Sequence, residues 1–313
     1  MKIKRALIGF GLITVLYLSA LIWVDAQTHV FAAIPSLWAV LPLMLIASLS
    51  SWLMRFVRWH WLLARAGYRT NFLQGFLAYL SGFAFTATPG KVGELVRIRY
   101  LVPMGVPPWV VLAAFVYERA FDLLAVLVLA SLFISRMDVF LFVTGFVVLF
   151  LGLIAFMAMK PRIMVRLSVY LRAWRMRRLS RVLKTLGDGL SGCRMWANPL
   201  DALVAGGSGL AAWGLTSLAF VYLLVQLKIN LPILAAIAIY PLAMLAGAAS
   251  MLPGGIGSVE ATIVVVLSLY GFGVGVATLA AIGIRLATIW FSVVCGFIAL
   301  AILELPFSKR KVS

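Results

Sequence analysis

Two stretches that stop a helix in the middle of apolar sequence constrain this chain more than anything else in it. The first is Phe83-Ala84-Phe85-Thr86-Ala87-Thr88-Pro89-Gly90-Lys91-Val92-Gly93-Glu94, and its echo is Ser250-Met251-Leu252-Pro253-Gly254-Gly255-Ile256-Gly257-Ser258-Val259-Glu260. Each runs from small and apolar residues into Pro-Gly-x-x-Gly, with an acidic residue close behind. Proline removes a backbone donor and glycine admits a positive φ, so a helix ends there. Lipid cannot satisfy the freed backbone groups, and such a break survives only where protein or a water-filled cavity covers it.

That lipid is the relevant solvent follows from composition. The 313 residues are 64% hydrophobic and 12% charged, with a mean hydropathy of +1.10. Soluble domains average roughly 45–50% apolar and about 25% charged. The expectation is an all-α polytopic membrane protein, one transmembrane domain over 1–313. It divides into a first half (about 1–159), a basic amphipathic loop (160–198) and a second half (199–313). The net charge of +18 fits cytoplasmic loops rich in Lys and Arg, and nucleic acid is not an expected partner. Cys193 and Cys295 imply neither a disulfide framework nor a metal site, and no cofactor is expected.

A spanning helix needs about 20 apolar residues. Ala6–Val24 resembles a signal peptide but is long enough to be a retained first span. Ala33–Met54 is the second, closed by Arg55, Arg58, Trp59, His60, Trp61, Arg65 and Arg69 as an inner-interface belt. Were Asn71–Thr88 a full crossing, the arginine-rich loop from Lys160 to Arg194 would lie outside. A re-entrant hairpin turning back at Pro89-Gly90 keeps it inside. Trp109–Ser135 crosses outward and Val139–Met159 returns. In the basic loop, Ile163, Leu167, Leu171 and Trp174 fall near helical spacing, although an orientation-setting loop explains most of it. Ala202–Leu227 crosses again, with Gly206, Gly207, Gly209 and Gly214 read as close helix packing. Leu231–Leu252 and Val259–Tyr270 make a second hairpin, entered from the opposite face, and Val276–Leu303 returns to the cytoplasm. The expected architecture is about six full spans plus two re-entrant broken-helix hairpins in an inverted repeat. Both termini are cytoplasmic, and the outer loops hold only Arg136 and Lys228 of the 27 basic residues.

The two halves also place cations alike: Arg119 lies 26 residues after Gly93, and Arg285 lies 28 after Gly257. Interrupted hydrophobic segments in matching positions point to a midplane site. Seven ionisable residues remain within apolar sequence: Lys91, Glu94, Glu118, Arg119, Asp122, Glu260 and Arg285. Each costs at least about 2.5–3.5 kcal/mol at a bilayer centre. Glu118 and Asp122 share a helix face at i,i+4 and Arg119 reaches Asp122 at i,i+3, which fits a self-neutralising structural pair as well as a functional site. Lys91, Arg119 and Arg285 lie at or near the breaks. Helix N-termini starting after Pro89-Gly90 and Pro253-Gly254 would aim free N–H groups into the same space, a site for an anion. Glu94 and Glu260 fit counter-ions and proton carriers equally.

The segment from Thr88 to Arg97, together with Pro253 to Ala261 and the Glu118-Arg119-x-x-Asp122 helix, resembles the lysylphosphatidylglycerol synthase transmembrane family of flippase-like proteins. The likeness extends from about Leu7 to Leu305. It implies a multi-pass protein of the cytoplasmic (inner) membrane that moves an anionic lipid, phospholipid or polyprenyl-phosphate-linked, between leaflets. Carried over by position, Lys91, Gly93, Glu94, Arg97, Glu118, Arg119, Asp122, Glu260 and Arg285 would line or support the lipid path, with Pro253, Gly254 and Gly257 forming the second break. Bifunctional members carry an aminoacyl-transferase domain after this region, whereas this chain ends at Ser313, so lysylphosphatidylglycerol synthesis is not expected. No catalytic motif occurs, and an enzyme is not expected either. The alternatives are a membrane enzyme or accessory subunit acting on a lipid phosphate, and a small-solute transporter. The expected partners are the bilayer and an anionic lipid, and a homo-oligomer is compatible with the sequence.

Overall fold

The computed structural model describes residues 30–133 and 187–310, with a few isolated positions elsewhere. The expected first span, the return span Val139–Met159 and the amphipathic segment of the basic loop lie outside or almost wholly outside the described residues. Every element among the described residues is helical. We number the longer helices α1 (Leu41–Arg65), α2 (Phe72–Ser81), α3 (Pro108–Ala130), α4 (Pro199–Gln226), α5 (Ile233–Ala249), α6 (Ser258–Leu269), α7 (Val274–Arg285) and α8 (Phe291–Arg310).

Leu41–Arg65, Pro199–Gln226 and Val274–Leu305 are long and apolar enough to cross a membrane. The 23 residues of α3 would rise about 34 Å at 1.5 Å per residue, enough for a crossing, but they carry Glu118, Arg119 and Asp122. The apolar helices around the breaks are shorter: Phe72–Phe85, Ile233–Ala249 and Pro253–Leu269. At that rise the first reaches about 21 Å against a hydrocarbon core of about 30 Å.

Both ends of the second span differ from expectation: its α-helix begins at Leu41, after a 3₁₀ helix over Val30–Leu37, rather than at Ala33. The second span does not end at Met54; α1 continues to Arg65 and buries both Arg55 and Arg58. A charged residue marks the end of a span when water must solvate it. Here carboxylates on α3 do so instead, so the interface belt begins a few turns later. The glycines of α4 also divide. Gly209 lies beneath Arg58, where a Cβ would come within 3.1 Å of Nη1, whereas Gly207 and Gly214 face open space and serve no close packing.

The packing pairs elements across the two halves. α1 packs along α4, α2 packs on α8, and α5 packs on α3. Matching α1 with α4, α2 with α5 and α3 with α7–α8 turns this set of contacts into itself, as an approximate two-fold would. Backbones approach most closely where Gly296 of α8 meets Phe83 and Ala84; any Cβ on Gly296 would collide with the Ala84 amide nitrogen. Between α7 and α8, Leu286–Trp290 forms a π-turn, and the Ser48 hydroxyl donates to the Ala287 carbonyl at 2.7 Å. Asn71 caps α2 through hydrogen bonds from the Leu73 and Gln74 amides.

Candidate functional site

The two Pro-Gly breaks touch each other in the middle of the molecule. A Cβ on Gly254 would sit 3.3 Å from the Ala87 Cα and 2.7 Å from Ile289 Cδ1. Their backbones share a turn. The Lys91 amide donates to the Thr88 carbonyl, and the Gly255 amide to the Leu252 carbonyl, each at 2.9 Å. The fourth residue of each turn is left-handed, Lys91 at φ 55° and Gly255 at φ 64°. Gly93 is required by sterics: a Cβ there would run into the Phe85 carbonyl and lie 2.6 Å from Phe85 Cβ.

One expectation is corrected here. The N–H groups after the breaks are not free for a ligand at the two glycines. Gly93 N–H donates to Thr88 Oγ1 at 2.8 Å, and Gly257 N–H to Glu260 Oε2 at 2.7 Å. The second break turns a carbonyl, not an amide, toward its cation: Arg285 Nη2 donates to the Gly254 oxygen at 2.8 Å, while its Nε holds Glu260 Oε1 at 2.8 Å. Arg285 makes no bond to Thr288, whose hydroxyl donates to the Ile284 carbonyl.

Beside the breaks lies a charged cluster built on α1, α3 and the first break. Glu118 and Asp122, one turn apart on α3, receive Arg58 of α1 at 3.0 and 2.8 Å, and Asp122 receives Arg55 at 2.8 Å. Tyr79 donates its hydroxyl to Glu118 at 2.6 Å. Arg119 reaches Asp122 at 3.1 Å, Glu118 at 3.4 Å and Glu94 at 4.0 Å. Arg97 is fully buried between the rings of Trp59 and Tyr79, and bonds Glu94 through both Nε to its carbonyl and Nη2 to Oε2. Arg55 in turn stacks over Trp213 of α4. Breaking a buried ion pair by removing one partner costs about 3–5 kcal/mol, so this cluster locks α1, α3 and the break together.

Between cluster and breaks opens a cavity of about 90 Å³. It is lined by Arg55, Lys91, Glu94, Arg119 and Arg285, by Gly254, and by the hydroxyl side chains Ser48, Ser51, Thr86, Thr216, Tyr240, Thr288 and Ser292. A water needs about 10–15 Å³ of such volume, so the cavity has room for about six to nine waters, enough for a phosphate group. The Ser and Thr protons are already committed: Ser48, Ser51, Thr216, Thr288 and Ser292 donate to main-chain carbonyls, and Thr86 donates to Glu94. Of the cations at the wall, Arg55, Arg119 and Arg285 are ion-paired, and Lys91 has no ion pair among the described residues.

The sequence-derived residues therefore separate. Lys91, Glu94, Arg119, Gly254 and Arg285 border the cavity. Arg97, Glu118, Asp122 and Glu260 hold those residues in place from behind, while Gly93, Pro253 and Gly257 shape the turns. Arg55 and Arg58 were assigned to the interface belt and are the residues that sequence reasoning missed. Their signal was present: Ser48, Ser51, Arg55 and Arg58 recur at three- and four-residue intervals, the stripe of one helical face.

Fold and site together define a polytopic helical membrane protein with a polar, cation-lined cavity at the junction of two interrupted helices. The chain belongs to the lysylphosphatidylglycerol synthase transmembrane-region family, whose model matches residues 6–296. Comparison with curated proteins and with solved structures found no match.

Proposed function

We propose that this protein translocates an anionic lipid, phospholipid or polyprenyl-phosphate-linked, across the cytoplasmic membrane, without catalysing a reaction on it. The observation that carries this reading is the shared cavity. Cations from both halves of the chain meet where two interrupted helices touch, and an ionisable residue at membrane depth is costly unless it serves a substrate path. The cavity takes the phosphate while acyl chains stay in the bilayer. In this reading the segments around Pro89 and Pro253 are re-entrant hairpins entering from opposite leaflets, the halves form an inverted repeat, and the Arg-rich loops and both termini face the cytoplasm. Membership of a lipid-related family supports it.

The test is translocation of a fluorescent anionic phospholipid in reconstituted vesicles, followed by dithionite quenching. Lys91→Ala, Arg119→Ala and Arg285→Ala are each expected to reduce the rate by at least tenfold, the loss of about 1.4 kcal/mol or more of head-group stabilisation. Unchanged rates in all three, with folded protein, would overturn the reading.

A further inference from the structure

Charge balance around the cavity specifies the head group more narrowly, granted the lipid-phosphate reading above. Among the described residues, six cations (Arg55, Arg58, Lys91, Arg97, Arg119 and Arg285) meet four carboxylates (Glu94, Glu118, Asp122 and Glu260). The formal excess is two positive charges. Buried charge without a partner is costly, so the empty site is incomplete electrostatically. We propose that the cavity selects a phosphomonoester lipid, one whose phosphate bears a single ester bond and ionises twice, over a phosphodiester lipid.

Two observations converge. A phosphomonoester carries about −1.5 to −2 at neutral pH, which matches the excess, whereas a diester carries one charge and leaves one cation uncompensated. A monoester also presents three terminal oxygens, and the cations that border the cavity come from separate elements: Lys91 from the first break, Arg119 from α3, Arg55 from α1 and Arg285 from α7. The hydroxyls cannot substitute for them, since their protons are spent on carbonyls and on Glu94.

The experiment uses the full chain in detergent. Phosphatidic acid and phosphatidylglycerol with the same acyl chains are titrated while the fluorescence of Trp52 and Trp213, both at the cavity wall, is read. At about pH 8 phosphatidic acid is expected to bind at least about tenfold more tightly. Near pH 5, below the second ionisation of a phosphomonoester at about 6, that advantage should shrink to within about twofold. The titratable groups facing the cavity are Arg55, Lys91, Glu94, Arg119, Tyr240 and Arg285. Phosphatidylglycerol measured over the same range reports any change in them, so the difference belongs to the ligand. Lys91→Gln, which orphans no carboxylate, should weaken phosphatidic acid about tenfold and leave phosphatidylglycerol within about threefold.

The outcomes separate the two claims. Equal affinity for both lipids at both pH values overturns the monoester assignment and leaves the lipid reading standing. Binding of neither overturns the lipid reading itself. Inorganic phosphate binding as tightly as phosphatidic acid would assign the site to a soluble anion and overturn the lipid part of the claim.

Discussion

The two breaks share one turn and differ in the backbone around it and in chemistry. In both, an i→i+3 hydrogen bond spans the proline and the fourth residue of the turn is left-handed; Gly254 and Gly257 are left-handed too, whereas Gly93 is not. In the second half the fourth residue is Gly255, which lies 3.2 Å from the Gly247 Cα with a hypothetical Cβ and so has no room for a side chain. In the first half it is Lys91, which reaches the cavity and bears the strain of φ 55°. Left-handed backbone in a residue other than glycine costs of order 1–3 kcal/mol and persists where something else requires it. The carboxylates differ in the same sense. Glu260 is shared between the Gly257 amide and Arg285, while Glu94 is gripped by Arg97 and Thr86 and leaves Arg119 at 4.0 Å. One half keeps its cation satisfied; the other leaves Lys91 without an ion pair at the cavity wall. The turn recurs in both halves, and its departure from symmetry puts a cation of the turn itself at the cavity wall in the first half alone.

The largest effect should come from the cluster that only the first half has. Asp122→Ala leaves Arg55, Arg58 and Arg119 facing a lost carboxylate and is expected to destabilise by about 3–5 kcal/mol, against a smaller loss for Glu260→Gln, whose Arg285 retains the Gly254 carbonyl. Thermal unfolding in detergent reads both, and an equal shift would mean the halves are held alike. Next comes Gly255→Lys, the first-half residue placed in the second. Its Cβ meets Val259 Cγ2 at 2.9 Å as well as Gly247, and overpacking of this kind costs about 1–3 kcal/mol. If the variant melts with the parent, the asymmetry is not steric. The smallest effect on stability, and the most diagnostic, is the reverse exchange. Lys91→Gly removes strain of about 1–3 kcal/mol at an entropic cost of about 0.5–1, so a gain of about 1 kcal/mol is expected, together with loss of lipid translocation. A variant that gained no stability, or kept its transport rate, would break the contrast drawn here.

Much of this was legible in the chain because it depends on local chemistry. Pro-Gly-x-x-Gly dictates a turn whatever surrounds it, and the matched positions of Arg119 and Arg285 are visible by counting. What was not legible depends on partners distant in sequence. Arg55 and Arg58 look like the end of a span until Glu118 and Asp122, more than 60 residues away, are known to face them. The same ignorance made the glycine amides look free: Thr88 and Glu260 satisfy them through side chains whose direction no spacing reveals. Lys91 stood out in the sequence as a charge, but its left-handed backbone did not.

The π-turn at Leu286–Trp290 has a consequence for how one helix can attend to two places. Arg285 binds the second break, and Gly296, eleven positions on, accepts the first hairpin. Along an unbroken α-helix, at about 100° per residue, those two positions would point within about 20° of each other. The π-turn interrupts that winding between them, so the residue that binds the second break and the one that receives the first hairpin are freed from a single α-helical face.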